Sequence, residues 1–372
     1  MLAGKVINNT PKELKPHILV FVLFLVSGSL NFACFSKFTG FFDVYLYAVA
    51  LICVVFLFNK YLRYERAAAI IGEDGVIDSV LLQNSIEQNG LTLEYIKERV
   101  KKDIIKLAKS GTQTVKFVDR TFNANAKRAN EILLFIKENY GKEIPTNVCF
   151  HFEIAGDILK TSTLEILSSM PKGAVQLEIG MQSFNEDTLK TINRKTDTKK
   201  LIENINKLIS FNNMHIHIDL IAGLTGEDLE SFKNSFNIGY SLKAHMLQMG
   251  FLKLLYGADM RENSEKYPCT FNAEPPYEVT STPCLSFDEI KTLKNCEDAL
   301  DRLYNSGRFL YTLEYLIDEL GIAPFDVFND FGNAVRGEKM RLSDYAEEVY
   351  NFFSTKCDKD VLREKILCDL LS

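Results

Sequence analysis

The chain has 372 residues and a formal net charge of −6, with 47% hydrophobic and 25% charged residues. These are the proportions of an ordinary globular protein with a large core, so they exclude a disordered, collagen-like or small disulfide-stabilised chain. The acidic balance offers no basic footprint for nucleic acid, and no nucleic-acid partner is predicted.

The N-terminal segment is unusually apolar. Residues 17–58 carry only two formal charges, Lys37 and Asp43. His17–Phe35 is uncharged and long enough to span a bilayer as a helix, and Val44–Phe58 is a second apolar run. Basic residues flank both runs, so the positive-inside rule predicts a two-helix transmembrane hairpin with the rest of the chain in the cytoplasm. The alternative is a pair of buried core helices in a cytoplasmic protein.

The middle of the chain alternates short β-rich runs with helical patterns. The centres of the runs lie about 30 to 40 residues apart, which is the length of one βα unit. Between two of them, Lys199–Phe211 has its apolar residues on one helical face. The pattern predicts parallel strands with right-handed crossovers, in a barrel or an open α/β sheet. The predicted strands are Thr114–Asp119, Asn147–Ile154, Ala174–Gly180, His215–Ile221 and His245–Leu252.

Polar residues recur on one face of these strands. Side chains alternate across a strand, so every second residue shares a face. A buried carboxylate without a partner costs several kcal/mol, so this face should meet partners, water or a polar ligand. A lumen that holds a polar ligand satisfies this need, and internal hydrogen bonding is the alternative. The three stripes are Cys149, His151 and Glu153; Gln176, Glu178 and Gly180; and His215, His217 and Asp219.

The carboxyl ends of the strands are where ligands bind in such folds. Asp119 and Arg120 follow the first strand, and Gln182 follows the third. Arg194 lies 12 residues beyond Gln182, near the end of the next helix, where a guanidinium could bind a carboxylate in a bidentate manner. A surface salt bridge is an equally good interpretation of Arg194.

The last part of the chain is predicted to be helical. Ser286–Leu320 and Leu342–Leu371 show helical periodicity, and Ser286 with Glu289 resembles a capping box. The chain therefore divides into four predicted segments: 1–66, the hydrophobic hairpin; 67–91, a linker; 92–281, the barrel or open α/β sheet; and 282–372, a helical region.

Several ordered blocks between about Leu91 and Phe331 resemble the radical S-adenosylmethionine (SAM) superfamily. Within it, they look most like members that carry an N-terminal cobalamin-binding domain. The blocks are FVDRTFN (117–123), HFEIAGDIL (151–159), LEIGMQSFNEDTLKTINR (177–194), HIHIDLIAGLTGEDLESF (215–232) and LQMGFLKLLYGADM (247–260).

This resemblance implies a fold and a ligand site. The fold would be α/β, a partial (β/α)6 TIM-like barrel with about five parallel strands retained. Glu153 would hold the amino group of SAM, and Arg194 would bind its carboxylate. Gln182 and Asp219 would contact the ribose and the methionyl part.

The chain departs from the family pattern in two places. Asp119 and Arg120 stand where other branches use a glycine-rich turn. The family's CxxxCxxC loop, which binds a [4Fe–4S] cluster, has no counterpart among the eight cysteines; Cys34-x3-Phe38-x2-Phe41 has the spacing, but phenylalanine cannot bind iron. The cysteines are predicted to be isolated, buried thiols of a reducing compartment. The cobalamin-binding domain is also expected to be missing.

These observations predict a truncated or degenerate superfamily protein that keeps its SAM contacts. Without cluster ligands, this chain is not expected to generate the radical, and the apolar leader would reflect truncation, a frameshift or a misplaced gene start. One alternative is a membrane-anchored, non-catalytic binding or interaction protein. Another is a metal-dependent hydrolase that uses His215 and His217, since alternating histidines can bind zinc.

Overall fold

The computed structural model describes residues 93–335 and 340–372, with side chains from Lys97 onward. The predicted hydrophobic hairpin at 17–58 and the linker at 67–91 lie outside these residues. Among the helices described, none is long and apolar enough to cross a membrane.

The described chain alternates strands and helices up to β5 and is then mainly helical. The strands are β1 (Thr114–Lys116), β2 (Cys149–Ile154), β3 (Val175–Gln182), β4 (His215–Ala222), β5 (Met246–Phe251), β6 (Thr270–Phe271) and β7 (Val279–Ser281). The helices are α1 (Leu93–Ala108), α2 (Ala126–Asn139), α3 (Thr161–Ser168), α4 (Glu186–Thr191), α5 (Thr198–Ser210), α6 (Leu229–Ser241), α7 (Asp259–Glu262), α8 (Phe287–Leu300), α9 (Leu310–Leu313), α10 (Pro324–Ala334), α11 (Leu342–Phe353) and α12 (Lys359–Leu371).

Strands β1 to β5 form one parallel sheet in sequence order. Each lies within or next to a predicted run, so the α/β fold class is confirmed. One sheet face is apolar and buried, with residues such as Phe150, Leu177 and Ile216 fully enclosed. The opposite face carries the polar stripes.

Helix α5 shows why the crossover helices pack on the apolar face. Asp197 caps its first turn by accepting a hydrogen bond from the Lys200 amide at 3.0 Å. Leu201 and Ile205 are buried on one side of the helix. On the same helix, the Asn204 side chain donates to the Gly156 carbonyl at 2.8 Å, which fixes the helix against the loop after β2.

The C-terminal region is helical, as predicted. The capping box at Ser286 and Glu289 is present at the start of α8. The helical pattern does not continue unbroken, because π-helical turns occur at Asp301–Asn305 and Glu314–Glu319. Helices α8 and α10 approach closely at Gly332, where a Cβ atom would lie only 2.1 Å from the Asn295 carbonyl oxygen.

The prediction of buried thiols is only partly right. Cys296 is fully buried in α8, but Cys284 and Cys368 are exposed. Cys284 lies in the turn before α8, and Cys368 lies on the solvent side of α12, so neither position faces the core. The described cysteines are all free thiols.

Candidate functional site

The candidate site is the polar face of β1 to β4, and strand register builds it. Lys116 of β1 pairs with His151 of β2. Glu153 of β2 pairs with Glu178 of β3, and Glu178 in turn pairs with His217 of β4. Because paired residues of adjacent strands point to the same face, the predicted stripes merge into one continuous polar surface.

A cation bridges two carboxylates on this surface. The Lys116 Nζ lies 3.1 Å from Glu153 Oε1 and 3.1 Å from Glu178 Oε2. Burial lowers the pKa of Lys116, but the bonds and charges of the two glutamates outweigh it and leave that pKa raised. Burial raises the pKa of Glu178, and its bonds to Lys116 and His151 reverse the effect, so its pKa is lowered. The site therefore holds its own ion-pair network.

The network continues through two imidazoles. His151 Nε2 lies 2.7 Å from Glu178 Oε2. The Gln176 amide nitrogen lies 3.2 Å from His151 Nδ1 and 3.1 Å from His217 Nε2. An amide nitrogen only donates, so both ring nitrogens accept from it, and His151 donates its other nitrogen to Glu178. Burial, followed by the neighbouring histidines, lowers the pKa of His217 to about 4, so this ring is neutral at pH 7.

The described histidines lie close together but are not arranged around a metal position. His215 meets His217 edge to face and lies tilted against His245, with ring centroids 4.7 and 4.9 Å apart. Across the described ranges, no three histidine, cysteine, aspartate or glutamate side chains are arranged to hold a metal ion. The described residues therefore give no support to the metal-dependent hydrolase.

Asp219 lies next to this network on β4. Burial and then the negative charges of Glu178 and Glu153 raise its pKa to about 7. Its Oδ1 is buried and has no hydrogen-bond partner. An unsatisfied buried carboxyl oxygen is costly, so this atom is available to a ligand.

Arg194 and Gln182 meet Asp219 around Gly180, since Gly180 pairs with Asp219 across β3 and β4. Arg194 Nη2 donates to the Gly180 carbonyl at 2.6 Å, while its buried Nε has no partner. Gln182 is left-handed, with φ of 68°. A Cβ at position 180 would lie 2.5 Å from the Gln182 amide nitrogen and 3.4 Å from Arg194 Nη2, so only glycine leaves room for both side chains.

Arg194 is therefore not the surface salt bridge that its spacing equally allowed. Its guanidinium is half-buried and donates to a main-chain carbonyl. Burial lowers the pKa of Arg194, and the more distant charge of Asp157 raises it. The net direction is downward, which marks a cation that has lost solvent without gaining a close carboxylate.

The structure brings together four of the six predicted site residues and leaves two apart. Glu153, Gln182 and Asp219 share the polar face with the Arg194 guanidinium. Asp119 and Arg120 are exposed in the loop after β1. The Asp119 carboxylate pairs with the Arg128 guanidinium of α2 at 3.4 Å.

Two residues that bear on the site were missed in the sequence. Lys116 carries a signal, because it is the one charged residue of TVK and lies on the face opposite buried Val115. No sequence pattern points to Glu227, since it lies in the turn after β4. It is fully buried and accepts from Ser183 Oγ at 2.5 Å, and burial raises its pKa to about 7 against the effect of its serine hydrogen bonds. Ser183 follows Gln182, so Glu227 supports the backbone that carries this side chain.

An open parallel α/β sheet with a polar, incompletely satisfied face is typical of α/β proteins that bind ligands at the carboxyl ends of their strands. Two family models match the chain. Residues 79–237 match the radical SAM superfamily, and residues 265–372 match a protein of unknown function (DUF4080). The match at residues 79–237 agrees with the resemblance drawn from the motifs of the chain.

Individual relatives match over shorter stretches. The chain is 30% identical over 108 residues to the oxygen-independent coproporphyrinogen-III oxidase-like protein HemZ of Bacillus subtilis (strain 168), covering 29% of this chain and 22% of that protein. The structure of the radical S-adenosylmethionine methyltransferase TsrM from Kitasatospora setae, with tryptophan substrate and the SAM analog aza-SAM bound, matches at 14% identity and a TM-score of 0.41, covering 48% of this chain and 34% of that one. Coproporphyrinogen III oxidase (HemN) from Escherichia coli, a radical SAM enzyme, matches at 16% identity and a TM-score of 0.40, covering 58% and 47%. The chain thus spans less than half of each of these relatives.

The two cofactors of the superfamily fit this chain differently. The printed sequence has no CxxxCxxC, and the described cysteines join no group of three metal ligands, so the residues present do not fit a [4Fe–4S] cluster. Around Gly180, Asp219 Oδ1 and Arg194 Nε are buried without partners, so a carboxyl oxygen and a guanidinium donor remain available there.

Proposed function

We propose that this chain binds SAM on the polar face of β2 to β4 and does not generate a radical by itself. The observation that carries the proposal is the convergence of Arg194, Gln182 and Asp219 around Gly180, with a buried atom of Arg194 and of Asp219 left without a partner. Buried polar groups are normally satisfied, and those left open at a sheet edge are typical of a binding site.

Charge supports an amino-acid ligand at this place. The methionyl part of SAM carries an ammonium and a carboxylate. Glu153 is an anion on β2, and its side chain is 29% exposed, so a ligand can reach it. Arg194 is a half-buried cation whose guanidinium reaches the end of β3 and whose buried Nε is an unused donor. The proposed pose sets the ammonium against Glu153 and the carboxylate against Arg194.

Gln182 and Asp219 would form hydrogen bonds to the uncharged groups of the ligand. Gln182 offers both a donor and an acceptor beside Gly180. Asp219 with a pKa of about 7 is part protonated at neutral pH, so it can donate to or accept from a ribose hydroxyl. These two side chains give hydrogen bonds of either direction where a nucleoside needs them.

The absence of cluster ligands in the printed sequence supports the second half of the proposal. Radical formation from SAM requires an electron from a cluster bound beside the sulfonium, and three thiolates hold that cluster. We therefore propose that the 372 residues bind SAM without cleaving it reductively. Anaerobic incubation with iron, sulfide and dithionite tests this directly: no absorbance near 400 nm and no 5′-deoxyadenosine are expected, and either signal would refute it.

Calorimetric titration of SAM into the full chain tests the binding. Arg194→Gln should weaken binding by about tenfold or more, since hydrogen bonds to a charged partner contribute about 1.5–3 kcal/mol. Lys190→Gln on α4 is the matched control, because Lys190 is exposed and pairs only with Asp187. No heat with the wild-type chain, or equal affinity for wild type and Arg194→Gln, would contradict the proposal.

A further inference from the structure

We infer that Lys116 is a built-in competitor for the carboxylate that binds the ligand's ammonium, and that Glu178 receives Lys116 when a ligand takes Glu153. The inference rests on the proposed SAM site and adds a residue that sets its affinity and its preference for cationic ligands. It depends on three side chains from three neighbouring strands.

The geometry makes Lys116 equidistant from its two partners. Its Nζ lies 3.1 Å from Glu153 Oε1 and 3.1 Å from Glu178 Oε2. Glu153 and Glu178 are direct partners across β2 and β3, so their carboxylates stand side by side. A single ammonium thus bridges both carboxylates and offsets one of their two negative charges, in the place where the pose puts the ammonium of the ligand.

A second ammonium at Glu153 would lie beside the ammonium of Lys116. Two like charges at such a distance repel each other, and both would need the same Glu153 oxygen atoms. The Lys116 side chain is 47% exposed and has a flexible four-carbon stem, so it can withdraw from Glu153. Binding is then an exchange in which a ligand ammonium replaces the lysine at Glu153.

Glu178 lowers the free-energy cost of the exchange and keeps it reversible. Lys116 keeps one of its two ion pairs when it leaves Glu153, because Glu178 remains 3.1 Å away. Glu178 is itself held by His151 Nε2 at 2.7 Å, so it does not follow the lysine. With Glu178 neutralised, Lys116 would have only Glu153 as an anionic partner and would compete more strongly.

Two variants therefore have opposite predicted effects. Lys116→Met removes the competitor and should tighten SAM binding by about fivefold, which corresponds to an ion pair of about 1 kcal/mol. Glu178→Gln should weaken SAM binding by a similar factor. In Lys116→Met the same Glu178→Gln change should have little effect, because Glu178 acts through the lysine, and this coupling separates the mechanism from a simple sum of charges.

Calorimetry on the full chain measures all four affinities, with Lys116→Arg as the control that keeps a cation between the glutamates and should not gain affinity. Circular dichroism melts establish that each variant is folded. If wild type binds and Lys116→Met binds equally or more weakly, or if Glu178→Gln costs the same in both backgrounds, this inference is wrong and the SAM site stands. If neither wild type nor Lys116→Met binds SAM, both proposals fail.

Discussion

In the C-terminal helices, Asp369 of α12 accepts hydrogen bonds from the Tyr311 and Thr312 amides and from the Thr312 hydroxyl, at 2.9, 2.9 and 2.6 Å. On the polar face of the sheet, Asp219 leaves a buried oxygen without a partner. Within the described residues, every buried side-chain atom that lacks a partner lies between Thr188 and Glu227. Asp369 uses its carboxylate to hold the helices together, whereas Asp219 and Arg194 keep buried atoms unsatisfied around Gly180, which is typical of a functional site.

The largest expected effect is at the satisfied aspartate. Asp369→Ala leaves two main-chain amides and a buried hydroxyl without their acceptor. We expect the free energy of unfolding to fall by about 3 kcal/mol. Urea unfolding measures it, with Asp318→Asn as the control, since Asp318 forms only a surface ion pair with Lys243. A loss below 1 kcal/mol would mean that this carboxylate does not anchor α12.

Replacing Asp219, whose Oδ1 lacks a partner, should raise the free energy of unfolding rather than lower it. The folded pKa of Asp219 is about 7, against an ordinary value of 3.8. Between these values the folded state keeps the proton and the unfolded state loses it, so stability falls as pH rises from about 4 to 7. Asp219→Asn removes this penalty and should stabilise the chain by about 2 kcal/mol at pH 8, with no gain near pH 4.

The same Asp219→Asn variant should bind SAM more weakly, since asparagine cannot offer a second acceptor oxygen. Urea unfolding at pH 4 and pH 8, together with calorimetry, follows both properties. A variant that is less stable at pH 8 would show that Asp219 is a structural residue like Asp369, and the contrast between the two regions would be lost.

The smallest effect is expected at Asp197, a helix cap that neither holds the C-terminal helices together nor belongs to the proposed SAM site. Asp197→Ala removes the side chain that caps α5 through the Lys200 amide at 3.0 Å. Thermal or urea unfolding should show a loss of about 1 kcal/mol, with SAM affinity unchanged. A change in affinity would place the start of α5 within the site.

The sequence allowed the strands and the polar face to be predicted because strand period and buried carboxylates are local signals. Strand period placed Glu153 and Asp219 on this face, while their ligand roles and that of Gln182 came from the family resemblance and stay predictions. The ion pair between Lys116 and Glu178 was not predicted, because it joins positions 62 residues apart and depends on the register of three strands.

Other features had no local signal either. The left-handed conformation of Gln182 depends on the bulge between Gly180 and Gln182, which no residue type announces. The periodicity of Ser286–Leu320 predicted continuous helix, and the π-helical turns within it change the phase without changing the apolar pattern.

Hydrogen–deuterium exchange with and without SAM tests the central claim most directly, because it reports both regions in one experiment. The account predicts slower amide exchange on SAM addition at the ends of β3 and β4, around Gly180–Ser183 and Asp219–Ala222, with helices α8 to α12 unchanged. Equal exchange with and without SAM, or protection confined to the C-terminal helices, would contradict it.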